Sequence, residues 1–138
     1  MPSERAVRLT WSGMGMRFEG GGTEPPTPSI VVDGDGTAGP SPMITLLLAA
    51  AACSGSDVVA ILEKMRVGLS RCDVEVRGVR RDEEPRRYVA LRFRYTLAGD
   101  GLDAAKAERA VDLSLTRYCS VVASLAPDLT IDREIVLA

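Results

Sequence analysis

The run MITLLLAAAAC, Met43 to Cys53, carries no charged side chain and would present apolar groups on every face of a helix. A helix that is apolar all round is enclosed by protein or by lipid. A lipid span needs about 20 such residues, and here Ser54, Ser56 and Asp57 follow at once. The run therefore reads as a buried helix. A chain of 138 residues suffices for one domain, residues 1–138, with one core, but rarely encloses a helix completely. Burial by a second copy of the chain is the expectation.

The ends of this helix are marked. Ser41 is a good N-cap and Pro42 suits the first helical position. Lys64 and Arg66 fall in the last turn, where they complement the dipole, and Gly68 suits the C-terminal cap. A second helix is expected from an N-cap at Asp103 to Leu125, with Pro127 ending it. Its apolar stripe runs through Ala107, Ala110, Val111, Ser114, Tyr118, Val121, Val122 and Leu125.

Period-2 alternation marks the strands. AVRLTW sets Val7, Leu9 and Trp11 against Arg8 and Thr10, and GMGMRF turns into a second short strand. EGGGTEPPTP, Glu19 to Pro28, reads as loop, and Ser29 to Val32 as a short strand. CDVEVRGV places Cys72, Val74 and Val76 on one face; YVALRFRYTL places Val89, Leu91, Phe93, Tyr95 and Leu97 inward. The charged segment Arg80 to Arg87 joins these two as an antiparallel pair. LTIDREIVL closes the chain as a strand. The order predicts an α+β fold, with antiparallel sheet packed on two helices.

The chemistry open to this chain is narrow. It has no histidine, so the usual general base, the usual transition-metal ligand and every Ser-His or Cys-His dyad are excluded. Its net charge of -2 gives no basic field for nucleic acid. The arginines of the hairpin, Arg77 to Arg94, read as a solvated face balanced by Asp82, Glu83 and Glu84. MPSERAVRLTW lacks an apolar signal core, so a cytoplasmic protein without a membrane anchor is expected. GDGTAG, Gly34 to Gly39, fits G-x-G-x-x-G, but Pro40 and Pro42 follow and the helix starts after the motif, so it reads as a flexible turn rather than a dinucleotide site. DGDGT resembles a calcium loop, yet its twelfth position is Ile44, where a bidentate glutamate belongs. No cofactor and no metal are expected.

Three cysteines remain. Cys72 fits a core role on its strand. Cys53 and Cys119 lie on two helices expected to pack together, where facing thiols can cycle between dithiol and disulfide. Asp57, one turn after Cys53, either opposes thiol ionisation or hydrogen-bonds backbone or an arginine of a second chain.

SPMITLLLAAAACSGSDVVAILEKMR (Ser41 to Arg66) and AVDLSLTRYCSV (Ala110 to Val121) closely resemble the OsmC/Ohr family, and its YhfA-like branch in particular. The resemblance implies an intertwined α+β homodimer, antiparallel sheets wrapped around two long central helices, with active sites at the subunit interface. It implies thiol-dependent reduction of organic hydroperoxides, in which Cys53 attacks the peroxide and Cys119 resolves the sulfenic acid as a disulfide. A small thiol or lipoyl-type group is the implied reductant. Residues such as Met43, Leu46 and Leu47 are expected to line an apolar pocket. The strong peroxidases of the family carry a glutamate ten residues before the first cysteine, which holds an arginine from a glycine-rich turn against the thiolate. Position 43 is methionine here, and Arg17 is the candidate for that arginine. The alternative is a homodimer that keeps the fold without strong peroxidase activity, as a stress-related small-molecule-binding protein.

Overall fold

The computed structural model describes residues 3–138. The chain divides into two compact units, one ending at Leu46 and one running from Leu47 to Ala138. In the first unit, β1 (Ala6–Trp11), β2 (Arg17–Glu24) and β3 (Ile30–Asp33) form an antiparallel sheet in that order. The turn between β1 and β2 uses Gly13 and Gly15 at φ 87 and 56, and the Trp11 indole N–H donates to the Gly15 carbonyl at 2.9 Å. Val7, Leu9 and Trp11 alternate as expected, yet they stay 75, 50 and 55% exposed.

The segment expected as loop from Glu19 is strand as far as Glu24. Glycine is a strand breaker by propensity, but here the backbones approach too closely for any side chain. A Cβ on Gly20 would collide with the Arg8 carbonyl, and one on Gly21 would come within 2.6 Å of the Pro28 oxygen. The turn after β3 is also more ordered than expected. The Asp33 carboxylate accepts from the Asp35 N–H at 2.9 Å, the Thr37 hydroxyl at 2.9 Å and the Ala38 N–H at 3.0 Å. These bonds, led by that from Ala38, hold its carboxyl at about 2. The glycine-rich motif is thus a loop closed around a carboxylate, and the helix begins after it.

Helix α1 (Pro42–Lys64) has 23 residues. The Ser41 carbonyl accepts the Thr45 N–H at 2.8 Å and its hydroxyl accepts the Ile44 N–H at 3.4 Å, so the expected N-cap forms. The C-terminal end differs from expectation. Arg66, not Gly68, takes the left-handed conformation, at φ 63. The Arg66 N–H donates to Glu63 O and the Val67 N–H to Leu62 O, both at 3.0 Å. That is a Schellman motif, closed by buried Val67 and Leu62. Gly68 opens the next strand instead. Only Ala50, Ser54, Val58 and Leu62 of α1 are buried, while Ile44 and Leu48 are 48 and 54% exposed. By length and hydropathy alone α1 would also suffice to cross a membrane. Small residues such as Ser54 and Gly55 interrupt its apolar run without lowering its mean hydropathy below that level.

In the second unit, β4 (Gly68–Arg80) and β5 (Tyr88–Asp100) pair antiparallel, with Val74 opposite Tyr95 and Val76 opposite Phe93. Leu91, Phe93, Tyr95 and Leu97 are buried, as the alternation predicts. Val58 and Leu62 of α1, and Ala107, Ala110 and Val111 of α2 (Ala104–Leu113), are buried as well. The Asp103 side chain caps α2 by accepting from the Lys106 N–H at 2.8 Å. Strand β6 (Thr130–Leu137) lies parallel to β5, with Ile135 beside Tyr95. The sheet is therefore mixed rather than wholly antiparallel. A parallel neighbour needs a long crossover, and the helical segment after β5 supplies it. The hairpin arginines are balanced differently from expectation. Arg87 pairs with Asp128, and Arg92 and Arg94 with Glu134. Among the described residues no ion pair uses Asp82, Glu83 or Glu84.

The second helix is not continuous to Leu125. After α2 comes a π-helical turn, Ser114–Tyr118, in which the Cys119 N–H reaches back five residues to Ser114 O at 2.8 Å. Cys119 itself is extended, with ψ 102, and a short helix α3 (Ser120–Ala123) follows. The apolar stripe holds through Ser114 and then slips by one residue: Tyr118 is 52% exposed and Cys119 is buried in its place.

Candidate functional site

Cys53 and Asp57 are four residues apart on α1 and so share a face. Each precedes a buried residue, Ser54 and Val58, which puts both at the half-buried margin of the core stripe. Cys119 arrives from the π-helical turn. In an unbroken α-helix, five residues would carry it about 140° around the axis from Ser114. Here the chain leaves the α-helix through the π turn and the extended Cys119, and Cys119 is buried. One donor atom each from Cys53, Asp57 and Cys119 then lies within 4.8 Å of the other two. The two cysteines read as facing thiols are thus brought together, both free.

Behind them runs a buried hydroxyl chain. Ser54 Oγ is 2.6 Å from Tyr95 OH and 2.8 Å from Ser114 Oγ, and Ser114 Oγ is 2.9 Å from Asp57 Oδ2. An ionised carboxylate only accepts, so Ser114 donates to it. The Ser114 proton is then committed, Ser54 must donate to Ser114, and Tyr95 must donate to Ser54. The carboxylate therefore sets the direction of every proton in the chain. Asp57 thus accepts from a serine hydroxyl of its own chain. The sequence reading missed Ser54 and Tyr95 as site-supporting groups and took Ser114 only as part of a stripe. Two serines on facing apolar stripes were the available signal, since buried hydroxyls demand partners.

Burial pushes the Cys119 thiol up to about 11; the Val122 N–H, which does not complete a capping bond, offsets part of this, and Cys53 and Asp57 add to the rise. Burial, then its bond to Ser54, sets the Tyr95 hydroxyl, which ends above its ordinary value. Cys72 stands apart on β4, its thiol raised by burial and then by Asp73. It lines an open groove of about 600 Å³ with Leu48, Ala52, Gly55 and Val59. Arg17 lies in the first unit, exposed on β2, with Asp33 as its strand partner.

A family model described as OsmC-like protein matches residues 34–134, a span that holds both Cys53 and Cys119. The chain belongs to the OsmC-like family. Protein YhfA of Escherichia coli strain K12 is 41% identical over 112 residues, covering 79% of this chain and 84% of YhfA. A hypothetical protein of Aquifex aeolicus has a crystal structure that superposes with a TM-score of 0.86 at 26% identity, covering 99% of this chain and 98% of that one. OhrB of Bacillus subtilis, an organic hydroperoxide resistance protein, superposes with a TM-score of 0.60 at 14% identity, covering 99% and 98%. This OsmC-like chain shares the α+β architecture of both, two sheets with helices, and Arg17 lies outside the span matched by the family model.

Proposed function

We propose that this OsmC-like protein is a thiol-dependent peroxidase acting on organic hydroperoxides. The observation that carries the reading is the approach of two free thiols, one on α1 and one just after the π turn, to within 4.8 Å. The Cys53 thiolate attacks the distal peroxide oxygen, the O–O bond breaks, and the alkoxide leaves and takes a proton as the alcohol. Cys53 is then a sulfenic acid. The Cys119 sulfur displaces its hydroxyl as water, forming a disulfide. Two equivalents of a small thiol, or one dihydrolipoyl group, reduce that disulfide. The buried Cys119 thiol is shielded from the oxidant and reacts only once Cys53 has been oxidised beside it. Arg17 is assigned the cation that stabilises the Cys53 thiolate. The chain is one OsmC-like domain, paired as a cytoplasmic homodimer with the site at the interface. Support for pairing is the exposure of the apolar side chains of Leu9, Trp11, Ile44 and Leu48.

Turnover of cumene hydroperoxide with dithiothreitol tests the assignment. Cys53→Ser abolishes it, and Cys119→Ser lets Cys53 over-oxidise within a few turnovers. Activity that survives Cys53→Ser overturns the reading. Arg17→Ala lowers the rate at neutral pH, and an unchanged rate removes Arg17 from the site. One observation favours the second reading, a fold without strong peroxidase activity: position 43, where the strong peroxidases of the family carry a glutamate, is methionine. Failure of wild-type protein to turn over organic hydroperoxide selects that reading.

A further inference from the structure

A thiol pair that only exchanges disulfide needs two sulfurs. This cluster has a third member, the Asp57 carboxylate, within 4.8 Å of both. Its orientation is fixed from behind. Ser114 holds Oδ2 at 2.9 Å, Ser54 backs Ser114, and Tyr95 backs Ser54. The other carboxylate oxygen accepts no hydrogen bond among the described residues. Among the described residues, no lysine or arginine pairs with Asp57. Two sulfurs and one free carboxylate oxygen, steadied by a second layer of hydroxyls, form a ligand tripod of the kind metal sites use.

The donor set selects among metals. Thiolates favour soft or borderline ions, and the carboxylate turns the choice from copper(I) toward a divalent ion. Tetrahedral zinc, at about 2.3 Å to sulfur and about 2.1 Å to oxygen, places its ligand atoms roughly 3.6–3.8 Å apart. Donors already within 4.8 Å reach that spacing by side-chain adjustments of about 1 Å. We propose that Cys53, Cys119 and Asp57 form a zinc-binding site in the dithiol form of the protein. The protein supplies three ligands, and the fourth position is open, as in catalytic rather than structural zinc sites. Binding displaces the two thiol protons to solvent. Formation of the Cys53–Cys119 disulfide removes both sulfur donors, so the metal and the disulfide exclude one another. The inference goes beyond the peroxidase reading, and the site takes zinc whether or not the protein reduces peroxides.

Reduced, metal-free, full-length protein is titrated anaerobically with Co²⁺ as a spectroscopic probe and then with Zn²⁺. One equivalent of Co²⁺ per chain produces a thiolate-to-cobalt charge-transfer band, and Zn²⁺ removes it. Cys53→Ser and Cys119→Ser each weaken binding by about 100-fold or more, and Asp57→Asn by about tenfold or more. Cys72→Ser leaves affinity unchanged, and the disulfide form does not bind. A second measurement needs no variant: one equivalent of Zn²⁺ protects Cys53 and Cys119, but not Cys72, from iodoacetamide, read by mass spectrometry. Absence of the band at one equivalent overturns the proposal. So does unchanged affinity in Cys119→Ser or Asp57→Asn, or equal alkylation of all three cysteines with and without Zn²⁺. These readouts contain no hydroperoxide, so their failure is distinct from failure of the peroxidase assignment.

Discussion

The directed chain Tyr95 to Ser54 to Ser114 to Asp57 predicts unequal costs at its two ends. Ser114→Ala deletes the donor to a carboxylate and the acceptor for Ser54. A hydrogen bond to a charged group contributes about 1.5–3 kcal/mol and a neutral one about 0.5–1.5 kcal/mol. Asp57 is half-buried and can recover water, so the charged bond counts near its lower limit, and the total loss comes to about 2 kcal/mol. Tyr95→Phe removes one neutral bond, at 2.6 Å, and leaves the stack of rings 93 and 95 in place. Ser54 keeps its donor bond to Ser114, so this change costs about 1 kcal/mol. The double variant loses less than the sum by about 0.5 kcal/mol, because both changes act through Ser54. Equilibrium urea unfolding at fixed protein concentration measures each, with an unchanged slope as the check that only stability moved. If Tyr95→Phe costs as much as Ser114→Ala, or the two add fully, the carboxylate does not direct the chain and the reasoning fails.

Arg66→Gly should stabilise the protein by about 0.5–1 kcal/mol, because Arg66 sits at φ 63, where only glycine escapes a steric penalty; a raised urea midpoint checks this. Asp33 is held at about 2, below its ordinary 3.8, so its contribution is fully present above about 3.8 and is lost as pH falls through about 2. Acid unfolding followed by circular dichroism should therefore show a flatter limb between those values in Asp33→Asn, which is also less stable at neutral pH. Cys119 is raised from 9.0 to about 11, so its protonated form is the one the fold favours. Stability from this group is intact below about 9 and falls as pH rises toward 11, and iodoacetamide labelling of Cys119 should keep accelerating across that interval.

Much of the architecture is legible in local pattern. The caps at Ser41 and Asp103 formed where short polar residues precede apolar periodicity. Leu91, Phe93, Tyr95 and Leu97 of β5 followed the alternation, while at its start Tyr88 is buried and Val89 only half-buried; Cys53 and Cys119 approach each other as the pairing of the two helices suggested, though through a π turn that the pattern did not show. The errors have a common origin. Glycines 20 to 22 read as a loop because propensity counts backbone freedom and not the neighbour that fills the space of the missing side chain. Gly68 was favoured over Arg66 as the helix terminator for the same reason: the left-handed residue is chosen by where Leu62 and Val67 meet, not by which residue adopts it most cheaply.

Periodicity in the sequence alone determined the inward face of β5 from Leu91 to Leu97, that the fold is α+β, and that α1 carries apolar side chains on the faces its own chain leaves exposed. Only the tertiary structure decided that β6 runs parallel to β5, that Tyr118 turns outward while Cys119 turns in, and that Asp57 is bound by Ser114. Periodicity is a short-range property: it states which side of an element is apolar. It carries no record of a one-residue slip in a helix, or of the partner that a strand or a carboxylate finds. Those are settled by hydrogen bonds between residues far apart in the chain, 57 positions apart in the case of Asp57 and Ser114.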